Sequence, residues 1–311
     1  MRFLACLVLI ALGWHPAARA ADPQVIVVAS ESNASYDEAS AALLAELERN
    51  GTARSEVVLA RVSDLAGLGN AKDGPPKLFI ALGTEAARAL GRRQDNVPVL
   101  NALVPADAYE QVQREGGRRS GSDTLVLYLD QPLGRQLDLV RLALPRARKV
   151  GALWSAEFQA WATAADAAAR NRGLQLISVQ ADAQLPLYSM LKLALDEADV
   201  LLALPDRQLY NSSTIQNVLL ASFKARVPML AFSPAYVRAG AMLALYSTPS
   251  QIGTQAGAMA AQVLQGKHIP PWVRYPTDYT VGVNLNVARS LGYSLDAASL
   301  TEALRRLERA R

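Results

Sequence analysis

From residue 25 onward the chain alternates short, continuously apolar runs with longer segments whose apolar residues recur at helical spacing, and it does so twice. VIVVAS (25–30), SEVVLARV (55–62), KLFIALG (77–83), VPVLNALV (97–104) and TLVLYLD (124–130) read as strands, separated by helical segments such as YDEASAALLAELERNG (36–51) and TEAARALGRR (84–93). At Lys149 the pattern restarts with KVGALWS, the alanine-rich helix 158–173, LQLISVQ and a helix with Pro186 in its first turn. Runs that are apolar at every position are strands buried on both faces, which a parallel sheet covered by helices provides. LFIALGTEAARAL with VPVLNAL in the first half is echoed by VLLALPDRQLY with VPMLAFS in the second, a weak internal duplication of one α/β unit. The expected fold class is therefore α/β, with two Rossmann-like lobes holding parallel sheets.

The ends of the chain need separate treatment. Arg2, the apolar run Phe3 to Leu12 and Ala18-Arg19-Ala20 form the three parts of a cleavable signal peptide over residues 1–20, too short to span a bilayer. The mature chain, from about Ala21, is thus expected in the periplasm. Its 30 Lys and Arg against 28 Asp and Glu leave it nearly neutral, and the one arginine cluster, Arg114 to Arg119, lies in a glycine-containing loop without aromatics, so no nucleic acid is expected as a partner. The lone cysteine, Cys6, falls in the signal, and a single histidine, His268, remains, so disulfides and His/Cys metal clusters are excluded. At the other end, 247–266 is a helix with Thr248, Pro249 and Gln251 in capping-box spacing, 272–276 and 279–286 are extended, and 296–311 is an amphipathic helix.

No catalytic constellation stands out. There is no G-x-S-x-G elbow, Gly266-Lys267-His268 lacks the rest of a phosphate loop, and Gly67-Leu68-Gly69 has no third glycine. No enzyme, cofactor or metal site is expected. Polar and aromatic residues collect instead just after the apolar runs, where open α/β sheets bind ligands. In the first half these are Ser30 and Glu31, then Gly83, Thr84 and Glu85, then Asn101 and, at the crossover, Gln131. In the second they are Trp154 and Ser155, Asp206 and Tyr210, Phe232 and Ser233, and Tyr246. Helix N-termini there favour an anion, the aromatics would sandwich a flat ligand body, and the carboxylates would hold an ammonium group. Plainer uses exist for several: Thr84, Ser155 and Asn211 are good N-caps, Asp206 can start a turn, Trp154 and Phe232 can pack between helix and sheet, and Arg207 and Glu31 can be solvated.

The segments ALGTEAA (81–87), LPD (204–206), VPMLAFSPAYVRAGA (227–241), the IGTQAG helix with VLQGK (263–267) and VNLNVARSLG (283–292) resemble the periplasmic substrate-binding proteins of ABC transporters, in the group that includes tryptophan- and tyrosine-binding members. The resemblance spans nearly the whole mature chain and implies the type I periplasmic-binding-protein architecture, with lobe 1 formed by 21–129 and 248–278 and lobe 2 by 130–247 and 279–311. It implies a monomer that closes on a small-molecule ligand, such as an amino acid or related organic acid, and presents it to an ABC permease in the inner membrane. The chain departs from the family where Trp154-Ser155-Ala156 replaces an asparagine-proline pair and YLDQPLGRQ (128–136) replaces a threonine-glycine-valine run. A ligand-sensing module for a membrane signalling protein is the alternative, and a periplasmic enzyme the remote one.

Overall fold

The computed structural model describes residues 24–65, 75–115, 124–267 and 273–310. The signal segment with Cys6, the Gly67-Leu68-Gly69 loop, Arg118 and Arg119 of the arginine cluster, and His268 lie outside them. In the first lobe β1 (Val25–Ala29), β2 (Val57–Arg61), β3 (Leu78–Leu82), β4 (Val99–Val104), β5 (Thr124–Tyr128) and β11 (Val273–Arg274) form one parallel sheet in the order β11-β5-β4-β3-β1-β2. The second sheet contains β6 (Lys149–Trp154), β7 (Gln175–Gln180), β8 (Val200–Leu202), β9 (Met229–Ala231), β10 (Leu243–Tyr246) and β12 (Thr280–Val283), in the order β12-β10-β9-β8-β6-β7. The two orders are the same, as the internal duplication requires. They differ only at the sixth strand: β12 runs antiparallel to β10, whereas β11 runs parallel to β5. An antiparallel edge strand needs no crossover, so the returning chain adds it directly.

Why the apolar runs become central strands is visible from which way their residues face. Val25 and Val27 of β1, with Leu78, Ile80 and Leu82 of β3, belong to one core, while Ile26, Val28, Phe79 and Ala81 belong to another on the opposite face. A strand with both faces covered has no room for alternation. The first core is roofed by α1 (Ala34–Arg49) and α9 (Pro249–Leu264), and the second by α2 (Thr84–Gly91). Four further helices follow in order, α3 (Ala106–Arg114), α4 (Leu133–Ala143), α5 (Gln159–Arg170) and α6 (Leu187–Leu195). After them come α7 (Ile215–Lys224) and α8 (Pro234–Ala239), with α10 (Leu285–Ser290) and α11 (Ala297–Arg309) after α9. The segment after Ser233 is the helix α8: Ser233 stays extended and Pro234, with φ preset, opens the first turn. No helix among the described residues is long and apolar enough to cross a membrane.

α9 is the piece of late sequence that completes the early lobe. Its capping box forms as the spacing requires, with Gln251 N donating to Thr248 Oγ1 at 3.1 Å and Thr248 N to Gln251 Oε1 at 2.8 Å. It lies against α1 through two glycines one turn apart. A Cβ on Gly253 would land on the Ala39 carbonyl oxygen, and one on Gly257 would sit 2.8 Å from the Leu43 carbonyl oxygen. Those neighbours are backbone and cannot turn aside. Gly253→Val should therefore force the helices apart and destabilise the chain by about 1–3 kcal/mol, read as a lowered thermal midpoint; an unchanged midpoint would show that α9 is not seated this way.

Candidate functional site

The strand order fixes where a ligand can enter. β1 lies between β2 and β3, so the connections leaving the carboxyl ends of β1 and β3 diverge and open a crevice; β6 lies between β7 and β8 in the same way. Ser30 follows β1 and Gly83 follows β3; Ser155 follows β6 and Asp206 lies four residues beyond β8. These two crevices are the walls of the candidate site.

On the first wall, Ser30 Oγ donates to Leu82 O at 2.9 Å and accepts from Ala86 N at 2.9 Å, tying the end of β1 to the first turn of α2. Gly83 has φ +90°, and a Cβ there would strike the Tyr36 hydroxyl and come within 2.7 Å of Ser30 Oγ, so only glycine fits. Tyr36, in the first turn of α1, is half-buried; burial pushes its hydroxyl up, a hydrogen bond with Ser30 opposes that, and the charges of Glu31, Arg207 and Glu85 also act on it. Thr84 is half-buried at the start of α2. Glu85 is exposed and pairs with Arg88 of its own helix, and exposed Glu31 accepts from Asn33 Nδ2 at 3.0 Å.

Two carboxylates complete this side. Asp130, just past β5, accepts from Ala106 N at 2.7 Å at the start of α3, and burial pushes its pKa up to about 6. Asp107, in the first turn of α3, has a buried Oδ1 without a hydrogen-bond partner. Burial raises its pKa as well, opposed by the backbone N–H groups of Ala108 and of Asp107 itself and by the charge of Arg207 on the opposite wall, while Asp206 raises it further. Just before α3 the ladder between β4 and β5 shifts register, and Leu103 adopts φ +54°. Such a bulge re-aims the chain at a sheet rim.

On the second wall, Asp206 is buried, and its carboxylate accepts from Ser155 N at 2.7 Å and from Gln208 N at 3.0 Å. It therefore holds the ends of β6 and β8 together rather than standing free. Ser155 is 3% exposed and its Oγ has no partner. Arg207 is exposed, and its charge reaches both Tyr36 and Asp107. Arg207 and Asp206 on the second wall thus act on the carboxylate of Asp107 on the first.

Several strand-end residues are committed elsewhere. Trp154 is buried and donates from Nε1 to Ser178 Oγ at 2.7 Å. Tyr210 is buried, donates to Leu153 O at 3.2 Å, and accepts at its own carbonyl from the Tyr236 hydroxyl at 2.9 Å. Phe232 packs on the Tyr236 ring at 4.7 Å, half-buried Ser233 caps no N–H of α8, and half-buried Tyr246 ends β10 beside Gly282. Asn101 sits inside β4 rather than past its end, and donates to Leu125 O at 3.3 Å. It also lines a small recess together with Val99 and Thr124, the first residues of β4 and β5, at the opposite edge of the sheet. Gln131 lies in the connection between the lobes. Tyr36 and Asp107 do not directly follow an apolar run; they are the third residue of α1 and the second of α3, where spacing along the chain carries no signal that they face the crevice. Among the described residues no group of three or more His, Cys, Asp or Glu could hold a metal ion.

The family model for ABC transporter substrate binding proteins matches residues 50–305. A tyrosine-binding protein of Clostridioides difficile (strain R20291) is 22% identical over 199 residues, which is 62% of this chain and 56% of that protein, so the match spans little more than half of the relative. Among solved structures, the ABC domain in complex with L-Trp from Streptococcus pneumonia is 18% identical with TM-score 0.59, covering 91% of this chain and 98% of that one. The ligand-free, open structure of a substrate binding protein with adhesive properties from Clostridium difficile is 17% identical with TM-score 0.69, covering 88% and 96%.

The Asp130 shift has a signed consequence. Its folded pKa of about 6 lies above the unfolded value, so the stability it contributes is present at low pH and is lost as pH rises through about 6. Urea midpoints of the wild-type chain should fall between about pH 4 and 7 relative to those of Asp130→Asn; parallel curves would refute the assignment.

Proposed function

The chain belongs to the family of ABC transporter substrate binding proteins, and on that premise we propose that it captures a small zwitterionic solute between its two lobes and delivers it to an inner-membrane permease. The solute class is an amino acid or a related organic acid. The observation that carries this reading is the opposition of Arg207 to Asp107, whose Oδ1 is buried and unpartnered. An unpaired buried acceptor is costly to leave unmade. An ammonium group would satisfy it, and the carboxylate of the same solute would meet Arg207, with Ser155 Oγ and Tyr36 as neutral partners. Backbone N–H groups at the start of α2 add a further donor surface for an anion.

In this reading the first lobe is 21–129 with 248–278, the second is 130–247 with 279–311, and the lobes close by rotation at their connections. The signal segment 1–20 is removed, the mature chain is a periplasmic monomer, and the protein supplies binding and presentation while the permease complex supplies energy and passage. The family of solute receptors and the absence of a catalytic constellation in the sequence support a non-enzymatic role.

Calorimetric titration of the processed chain with the common amino acids and small organic acids should give saturable binding of at least one of them. Asp107→Asn and Arg207→Gln should each weaken that binding by roughly 10- to 100-fold, as loss of a charge-assisted contact does, with thermal midpoints near wild type. Affinity for an ammonium-bearing solute should also drop as pH falls through about 6, where Asp130 gains its proton. No heat with any member of either class, together with a neutral or purely apolar molecule retained in native mass spectra, would sink the zwitterion assignment.

A further inference from the structure

The backbone passes between the two sheets at three places: after β5, after β10 and between β11 and β12. A closed circuit of side chains joins these crossings. Arg135, in the first turn of α4, donates through Nη1 to Gln131 Oε1 at 2.7 Å and to Pro276 O at 2.8 Å, binding the first crossing to the third. Gln131 Nε2 donates to Ser247 Oγ at 2.9 Å, binding the first to the second. Ser247 Oγ in turn donates to Asp278 O at 2.6 Å and closes the ring. Gln131 and Ser247 are each 6% exposed, so water does not compete for these bonds.

The ring is held from outside by the C-terminal helix. Glu308 of α11 accepts from Arg135 Nε at 2.5 Å with one oxygen and from the Tyr279 hydroxyl at 2.9 Å with the other. The Arg135 guanidinium lies 4.3 Å from the centroid of the buried Tyr279 ring, and Arg305, one turn before Glu308, lies 5.8 Å from it and 3.8 Å from Asp278. Arg135 touches the circuit, the stacked tyrosine and the terminal helix at once. A guanidinium fork holds such a geometry because its donors are coplanar and fixed in angle.

We propose that Glu308 is a positioning residue for the solute receptor: by fixing the Arg135 fork, the last turns of α11 set the rest angle between the lobes and confine their motion to a bend about the pinned crossings. The charge-assisted Glu308–Arg135 bond orients the donor, and the neutral bonds of Gln131 and Ser247 transmit that orientation to the other two crossings. Loosening it releases twist as well as bend, without touching the walls of the site. This rests on the reading of two lobes that move about their connections, and not on the identity of the solute.

The test needs no ligand. The chain from Ala21 carries no cysteine, so Glu48→Cys on α1 and Asn217→Cys on α7, both exposed, accept a pair of spin labels on opposite lobes. Double electron–electron resonance of the otherwise native chain should give a single narrow distance distribution. Glu308→Gln and Arg135→Gln should each make it at least roughly twofold broader, as expected when a hinge loses a constraint on its axis. Ser247→Ala should broaden it in the same direction, Glu308→Asp should restore part of the narrowing, and Glu302→Gln, on the same helix but paired only with Arg306 and Arg309, should match wild type. Wild-type width in both Glu308→Gln and Arg135→Gln overturns the proposal, even with lowered thermal midpoints, because the bonds would then serve stability alone. Loss of the cooperative fold in Glu308→Gln overturns it too, by making α11 a support of the second lobe rather than of the hinge. If the distributions respond as expected while titrations find no zwitterion, only the solute assignment falls.

Discussion

The hydrogen bond from Gln131 to Ser247 joins segments 116 residues apart, and both side chains are almost fully buried where the chain passes between the lobes. It ties the first crossing between the lobes to the second, and such ties matter because neither lobe is one continuous stretch. The first sheet receives its last strand, and the core beneath it receives the helix Pro249–Leu264, only after most of the second lobe has been built. Ser250 N reaches back 212 residues to Glu38 Oε1 at 3.1 Å. Closing so long a loop costs little more than closing a short one, since the entropy grows with the logarithm of length. What it demands is a close fit at the end, and the glycines at 253 and 257 supply it.

Among the described residues, side-chain hydrogen bonds linking the two lobes lie at or beside the crossings, Arg135 to Pro276, Ser247 to Asp278 and Thr280 to Gln251 among them. The walls of the crevice are related by long-range charge instead: Arg207 acts on Tyr36 and Asp107 from the other lobe, and Asp206 raises Asp107 while serving its own strand ends. Strong local bonding at the connections with weak coupling across the crevice is what a receptor requires.

The alternation of apolar runs and helices was sufficient to read the α/β architecture and its internal duplication, because burial on both faces leaves a local trace in every central strand; the order of strands in each sheet came only with the structure. The strand-end rule also located Ser30, Gly83, Ser155 and Asp206 at the two crevices. It was less able to say what those residues do. Trp154 and Tyr210 looked like ligand-stacking aromatics, yet the indole N–H is taken by Ser178 and the phenol by Leu153 O. Asn101 lay beyond the rule because β4 continues through the bulge to Val104, and Gln131 proved to be part of the connection between lobes. Arg207, read as solvated, is exposed, and its charge acts on Asp107.

The sequence by itself determined the strands, the two similar halves, the capping box at Thr248 and the edge at which a ligand would enter, all set by residues within a few positions of one another. Tertiary structure alone decided which polar groups remain free there. The bond partners that occupy Ser155 N and the Tyr210 hydroxyl lie 51 and 57 residues away, and Asp107 and Ser155 keep an unpaired oxygen only because no such partner arrives. A side chain's availability is a property of everything folded around it, and spacing along the chain carries no record of that.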